Sequence, residues 1–132
     1  MNNLEGKGIL DYNFSEDILY FYIDKFTSKN KHNYDYSFDL DGFIIDIDND
    51  NHVIGLELLD ATKKLNVDRT VLKFIKNGRF QAKIEKNIIL ISFYFQSVIR
   101  NKIQQFTLNA ERLNTPKLQE SDLKCEIFPS KI

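Results

Sequence analysis

Residues 36–61 read YSFDLDGFIIDIDNDNHVIGLELLDA and decide the fold, because two chain reversals separate three apolar-periodic runs. Asp41-Gly42 lies between the first two runs, and this dipeptide suits a type I′ turn, in which both central residues need a positive φ. Residues 49–52 make the second reversal with Asn, Asp and His side chains, of which Asn and Asp readily bond their own backbone. Side chains alternate along the strands between these turns, so every second one faces a core. The stretch therefore predicts two successive β-hairpins.

The segments on either side of this stretch predict a further hairpin and one helix. Residues 8–12 and 18–23 are strand-like runs joined by a short turn, and the second run is rich in aromatic and β-branched residues. After the stretch the apolar spacing becomes that of a helix, and Asn77-Gly78 is a typical stop signal. We therefore predict one α-helix at about residues 68–76.

The last third of the chain returns to the period of a β-sheet. Strand patterns occupy residues 79–85, 88–96 and 103–110, and a short edge strand is expected at residues 125–128. Together these elements predict an α+β fold that is mainly β. In this fold antiparallel β-hairpins and a meander form the sheet, and the one α-helix packs on it.

The chain is short enough to form one domain. We expect a single domain over residues 1–132, composed of a β-hairpin unit at 1–65 and a helix plus β-meander at 66–132. Two small subdomains that meet near Gly78 are the alternative.

The composition excludes several classes of protein. The chain has 132 residues, 42% of them hydrophobic and 28% charged, which is typical of a folded globular protein. Its net charge of −1 argues against a dominant role in binding polyanions. One cysteine excludes an internal disulfide and fits a reducing compartment. The chain opens without a leader-like segment, and no apolar run approaches the roughly 18 residues of a membrane span. We expect a cytoplasmic protein without a membrane partner.

Two signatures in the first half of the chain resemble a known family. The first is GFIIDID at residues 42–48 with VIGLELLDA at 53–61, and the second is Tyr12-Asn13 followed by DILYF at 17–21. Both are similar to motifs of the domain of unknown function 2283 family, whose members read roughly GVILDxDxxGxIVGIEILDAS and YDxxxDxLYI. The resemblance covers about residues 8–65. It implies a small β-rich unit, and it supplies no catalytic residues.

An acidic run in the second hairpin has the spacing of a calcium-binding loop. Asp46, Asp48, Asp50 and Glu57 occupy positions 1, 3, 5 and 12 of the EF-hand pattern. An EF-hand loop joins two helices, whereas strands flank this turn. Glu57 then lies opposite Ile44, roughly 20 Å of strand from the turn. We therefore predict no metal site; Asp48 and Asp50 could at most hold a weakly bound ion together with water.

No set of residues predicts catalysis. Cys125 lies in a segment with weak structural signals, and His32 and His52 lie in polar turns, so a Cys–His pair is not expected. The sequence contains no CxxC pair, no HxxxH pair and no glycine-rich phosphate loop. We predict no catalytic residues and no cofactor, and the sequence favours a protein that is not an enzyme.

The strand at residues 88–96 is apolar on both faces, so the predicted helix can cover only one of them. We expect an interface in a homodimer or with another protein partner, unless the first hairpin unit covers the second face. The residues predicted for this interface are Ile89, Ile91, Phe93 and Phe95. One alternative is a ligand-binding or enzymatic domain with a pocket between sheet and helix. A further alternative is association with nucleic acid through residues 25–34 and 79–86, which the small number of lysines argues against.

Overall fold

The computed structural model describes the backbone of residues 2–23, 34–40 and 42–129, and the side chains of these residues except 2–5 and 34. The first strands in chain order are β1 (Asn2–Asn13), β2 (Ile18–Ile23), β3 (Tyr34–Leu40), β4 (Phe43–Asp48) and β5 (Val53–Leu58). Two short helices follow, α1 (Ala61–Leu65) and α2 (Arg69–Lys73). The remaining strands are β6 (Ile75–Ile84), β7 (Ile88–Ile99), β8 (Lys102–Leu113) and β9 (Ser121–Pro129). Within these described ranges, no helix is long and apolar enough to cross a membrane.

The nine strands form one sheet in the order β3-β4-β5-β2-β1-β9-β6-β7-β8. Neighbouring strands are antiparallel, except that β1 and β9 run parallel at the centre of the sheet. The predicted mainly β fold of hairpins and a meander is confirmed. Two details of that prediction are corrected, because the sheet is mixed and two short helices replace the single one.

The hairpins of the opening stretch form with the predicted register. Asp46 lies opposite Gly55 and Ile44 lies opposite Glu57 in the pairing of β4 with β5. Asn51 has a φ of 61° in the turn between them. Asp41 lies outside the described residues, and Gly42, which follows it, has the positive φ that a hairpin turn needs.

The predicted helix at 68–76 is wrong in length. α2 ends at Lys73 and β6 begins at Ile75, so Asn77 and Gly78 lie in a strand and do not stop a helix. Gly78 is needed there for a different reason. A Cβ on Gly78 would lie 2.3 Å from the carbonyl oxygen of Tyr94, so only glycine allows β6 to approach β7 this closely.

The short edge strand predicted at 125–128 is also wrong, because β9 has nine residues and lies between β1 and β6. Ser121, Leu123, Cys125 and Ile127 are buried, and the residues between them are not. One face of β9 therefore belongs to the core, as the alternation of a half-buried strand requires.

One face of the sheet carries the hydrophobic core, and both halves of the chain contribute to it. The ring of Phe21 in β2 stacks on the ring of Phe80 in β6, with centroids 4.3 Å apart. The four residues predicted for an interface lie in this core, at 0 to 3% exposure: Ile89, Ile91, Phe93 and Phe95. Because these side chains are buried within the chain, a partner could reach them only by opening the fold.

Candidate functional site

The residues that carry the family resemblance lie in two different surroundings. Tyr12 and Asp17 meet Thr62, the residue after the Asp60-Ala61 pair, in a hydrogen-bonded cluster that we call the Asp17 clamp. A second set, on β2, β4 and β5, faces away from the core. The first set joins parts of the fold, whereas the second set lies on the outer side of the sheet.

The Asp17 clamp holds helix α1 against the first hairpin. The carboxylate of Asp17 accepts hydrogen bonds from the Tyr12 phenol at 2.7 Å, the Thr62 hydroxyl at 2.6 Å and the Thr62 amide at 3.2 Å. The Asp17 carbonyl also accepts a bond from the amide of Ala61 at 3.1 Å. Asp60, the residue before the helix, makes no side-chain cap. Asp17 therefore provides from another element the cap that α1 lacks locally.

The electrostatics of the clamp fix one protonation state. Burial would raise the pKa of Asp17, but the hydrogen bonds from Thr62 and Tyr12 outweigh burial and hold this pKa below its usual value. Burial, followed by the bond to Asp17, raises the pKa of Tyr12 to about 12. Both shifts keep Asp17 ionised and Tyr12 protonated near neutral pH. The clamp is thus a structural joint and is poorly suited to exchanging protons.

The outward-facing set belongs to a surface that we call the acidic face, formed by two rows of side chains across β1, β2, β5, β4 and β3. The rows follow from the strand register. The first row is Asp11, Tyr20, Glu57, Ile44 and Asp39, and the second is Ile9, Tyr22, Gly55, Asp46 and Ser37. Neither row contains a lysine or an arginine, although the chain has 18 of them.

Apolar and aromatic side chains are exposed between the carboxylates of the acidic face. Tyr22 is 41% exposed, and Phe128, which pairs with Ile9 from the neighbouring strand β9, is 44% exposed. Exposed aromatic rings with charged residues around them are typical of protein-binding surfaces.

Gly55 makes room for a carboxylate at the centre of the acidic face. A Cβ on Gly55 would lie 3.0 Å from Oδ2 of Asp46 and 3.1 Å from the carbonyl oxygen of Phe21. The other oxygen of Asp46 accepts a hydrogen bond of 2.7 Å from the hydroxyl of Ser37. The glycine therefore lets the Asp46 carboxylate lie over the strand, in a position held by Ser37.

Glu57, in the first row of the acidic face, is partly desolvated and lies near the carboxylate of Asp46. Burial raises the pKa of Glu57, and the charge of Asp46 raises it further. Burial also raises the pKa of Tyr20, followed by the charges of Glu57, Glu16, Asp11 and Asp46. A cationic group placed here would relieve this repulsion, so the face is suited to bind one.

The residues considered for a metal lie together at the turn between β4 and β5. The structure brings Asp48, Asp50 and His52 close enough for their ligand atoms to lie within 4.8 Å of one another. One oxygen of Asp48 accepts bonds from the amides of Asp50 and His52, both at 2.9 Å, and so builds the turn itself. Sequence reasoning missed His52, although its two-residue spacing from Asp50 was a usable signal. Glu57 lies opposite Ile44 on the acidic face, in the register that the sequence predicted.

The remaining candidates from the sequence are Cys125, two basic segments and a pocket between sheet and helix. Cys125 is buried in the core, and burial raises the pKa of its thiol to about 12, so it is a poor nucleophile.

The basic residues at 25–33 lie outside the described residues. Lys83, from the second basic segment, lies 3.8 Å from Glu85. A depression of about 620 Å³ lies between the helices and β8, beside Asn66, Arg69 and Phe106. Its position matches the alternative of a pocket between sheet and helix.

The chain is similar to one protein family and to two proteins from archaeal species. The family model described as "Protein of unknown function (DUF2283)" matches residues 9–61. A Methanosarcina mazei protein that carries the provisional name hypoxanthine phosphoribosyltransferase is 32% identical over 117 residues, which cover 89% of this chain and 90% of that protein. An uncharacterized protein of Methanocaldococcus jannaschii is 30% identical over 115 residues, covering 86% of this chain and 94% of that protein. No solved structure matches the chain.

Proposed function

The chain belongs to the family of proteins of unknown function DUF2283, and from that premise we propose that it is a non-enzymatic interaction module. In this proposal the acidic face binds a protein partner that inserts a lysine or arginine side chain. The observation that carries it is the arrangement of the outward-facing signature residues. Tyr20, Asp46, Gly55 and Glu57 lie next to one another on the outer, partly exposed side of the sheet, and the two rows of described residues that contain them hold no lysine or arginine.

We infer that the acidic face reduces the stability of the isolated chain, and such a cost supports a role in binding. Like charges on neighbouring strands destabilise a sheet, and neither Glu57 nor Asp46 has a described cation beside it in its row. Groups placed at a cost to stability are typical of functional sites. A guanidinium or ammonium group from a partner would pair with the carboxylates and contact the rings of Tyr20 or Tyr22. Losing one member of such a buried charge pair costs about 2 to 5 kcal/mol of binding energy.

The enzyme name of the M. mazei relative is not carried over to this chain. The M. jannaschii relative has similar coverage and no assigned activity. Nucleotide-binding α/β enzymes hold phosphates with glycine-rich loops and the ends of long helices. Here the closest glycine pair, Gly6 and Gly8, lies within β1, and each helix in the described ranges has five residues.

A second copy of the chain is the other partner that the sequence favours, and the homodimer stays a prediction. Because Ile89, Ile91, Phe93 and Phe95 are covered within the chain, a second copy would have to use another surface. The free, buried Cys125 supports the cytoplasmic location proposed from the sequence.

A capture experiment tests the acidic face. We expect immobilised protein to retain a specific partner from a lysate of the native host. The variants Asp46→Asn and Tyr22→Ala should each retain at least about tenfold less of this partner. A tenfold loss corresponds to about 1.4 kcal/mol of binding free energy. The same partner should be bound more slowly as salt is raised, because salt screens the attraction between an acidic surface and an approaching basic partner.

Matched variants on the opposite half of the sheet are the control for this experiment. Lys83→Ala and Thr107→Ala change exposed or half-exposed side chains of β6 and β8 and should retain the partner fully. Retention of the partner by both acidic-face variants, with loss in the β6 or β8 variants, would contradict the proposal. So would a partner that lacks basic residues at the contact.

The stability of the Glu57→Gln variant tests the electrostatics of the same face. Because the pKa of Glu57 is raised in the fold, its ionisation disfavours the folded state, and stability is lost as the pH rises through that value. We expect Glu57→Gln to raise the free energy of unfolding at pH 7 by a few tenths of a kcal/mol. The gain should vanish below about pH 4, where Glu57 is protonated in both states.

Urea unfolding at pH 7 and pH 4 measures this difference. Glu111→Gln, at an exposed carboxylate on β8, is the control and should show no such gain. A variant at Glu57 that is less stable than the wild type at pH 7 would show that the carboxylate serves the fold and not a partner.

A further inference from the structure

The second half of the sheet has a groove on its outer surface that the acidic face does not include. The groove has a volume of about 830 Å³ and crosses β1, β9, β6, β7 and β8. One row of side chains along it follows the strand register: Lys7, Glu126, Arg79, Tyr94 and Thr107. The volume is in the range of small-molecule sites, which is about 300 to 1,000 Å³.

Among the side chains that the structure describes, cations outnumber carboxylates in the groove. Lys7, Arg79 and Lys124 line it together with one acid, Glu126. Within the described part of the chain, neither Lys7 nor Arg79 has an ion-pair partner within 4.0 Å. Lys124 has a distant one, since its Nζ lies 3.9 Å from the carboxylate of Asp122. Lys7 and Arg79 are two strands apart, roughly 10 Å at the backbone, so their long side chains can converge on one ligand.

Arg79 is oriented by an aromatic ring on the neighbouring strand. Its guanidinium lies over the ring of Tyr94, 5.2 Å from the ring centroid. The phenol of Tyr94 in turn accepts a hydrogen bond of 2.9 Å from the side-chain amide of Gln96. A guanidinium stacked in this way keeps its N–H donors free at its edge, in the fork that matches two phosphate oxygens.

The lining of the groove includes two hydroxyl groups. Ser92 and Thr107 line it, and neither hydroxyl is bonded to another residue in the ranges that the structure describes. Both side chains are small, which leaves space between the longer side chains around them. Free hydroxyl donors in the same groove as several cations form a typical setting for phosphate oxygens.

We propose that this groove binds a small phosphorylated molecule with at least two negative charges, of the class of a nucleoside diphosphate or sugar diphosphate. Arg79, Lys7 and Lys124 contact the phosphate groups, and Ser92 and Thr107 donate to their oxygens. Glu126, between Lys7 and Arg79 in the row, accepts from a ligand hydroxyl. The site uses side chains and requires no glycine-rich loop. It is separate from the acidic face and does not depend on a protein partner there.

Titration calorimetry with inorganic pyrophosphate tests this site. At about 50 mM salt we expect saturable binding of one pyrophosphate per chain, with a Kd below about 1 mM. Arg79→Gln and Lys124→Gln should each weaken it at least about fivefold, because each removes one phosphate contact. These side chains are exposed, so thermal unfolding of the variants should match the wild type.

Lys83→Gln is the matched control, since it removes a cation from the same strand and the same face outside the groove. It should change the Kd by less than about twofold, and Glu57→Gln on the acidic face should leave it unchanged. Three results would overturn the proposal: no saturable binding up to about 10 mM, an equal loss in Lys83→Gln, or equal binding of sulfate. Much tighter binding of a single-stranded oligonucleotide than of pyrophosphate would overturn it in favour of nucleic acid.

Discussion

Replacing Asp17 with alanine is expected to destabilise the protein by about 3 to 5 kcal/mol, as measured by urea unfolding at pH 7. The carboxylate is 7% exposed and accepts three hydrogen bonds, from the Tyr12 phenol and from the hydroxyl and amide of Thr62. Alanine would leave those three partly buried donors without this acceptor. It would also have to adopt the φ of 58°, which costs less for Asp. The expected loss is a large share of the roughly 5 to 15 kcal/mol that stabilises a typical domain.

Two further variants separate the causes of this loss. Asp17→Asn keeps an acceptor and tolerates the same φ, so it should cost about half as much. Because the pKa of Asp17 is lowered in the fold, its contribution is present above the unfolded pKa of about 3.9 and is lost as the pH falls further. Asp17→Asn should therefore lose part of the acid sensitivity of the wild type. A cost below about 1 kcal/mol for Asp17→Ala would show that the clamp is dispensable.

Alanine at Gly78 is expected to cost about 3 kcal/mol or more, because two of the three atoms nearest to the added Cβ belong to the main chain. It would lie 2.3 Å from the carbonyl oxygen of Tyr94 and 3.0 Å from Cα of Phe95. β6 lies between β7 and β9, so it cannot move away from one strand without meeting the other. The strands must separate locally or the ladder must break, and both changes expose core around Phe95.

Gly6→Ala is the matched control for this experiment, on a strand of the same sheet. Its nearest contacts would be side-chain atoms of Cys125 and Ile23 at 3.8 Å, which is ordinary packing distance. We expect no loss, and a gain of up to about 0.5 kcal/mol from reduced freedom of the unfolded chain. Equal effects of the two substitutions would show that the sheet adjusts freely at Gly78.

Local sequence patterns predict the hairpins of this fold well and its helices poorly. The register of β4 with β5 follows from alternation and a short turn, so Ile44 opposite Glu57 could be predicted. Helix α1 could not be predicted from its own residues. Five residues do not form a stable helix alone, and the cap of this helix comes from Asp17 in a distant turn. Gly78 predicted a helix end, whereas the fold needs it for the close approach of β6 to β7. A single sequence does not show whether a glycine is needed for its φ or for a close approach.

The candidate site could be predicted only in part, because it depends on which strands become neighbours. In the sequence, Asp46 and Glu57 are recognisable only as members of a calcium-binding loop pattern. Their position beside Tyr20 and Tyr22 follows from the pairing of β2 with β5, between which β3 and β4 intervene in the chain. The groove is likewise invisible in the sequence, since Lys7, Glu126 and Arg79 meet through pairings of β9 with β1 and β6. Neighbours of this kind are set by the whole sheet and not by local propensity.

The parallel pairing of β1 with β9 has a consequence for synthesis on the ribosome. Gly8 pairs with Ile127, so the two halves of the sheet are joined by the strand that is translated after all the others. Until β9 emerges, β1 and β6 each present an unpaired edge above exposed apolar side chains. At roughly 5 to 20 residues per second, the interval from the end of β6 to the end of β9 lasts several seconds. Nascent chains of this protein should therefore be substrates for chaperones that shield strand edges during translation.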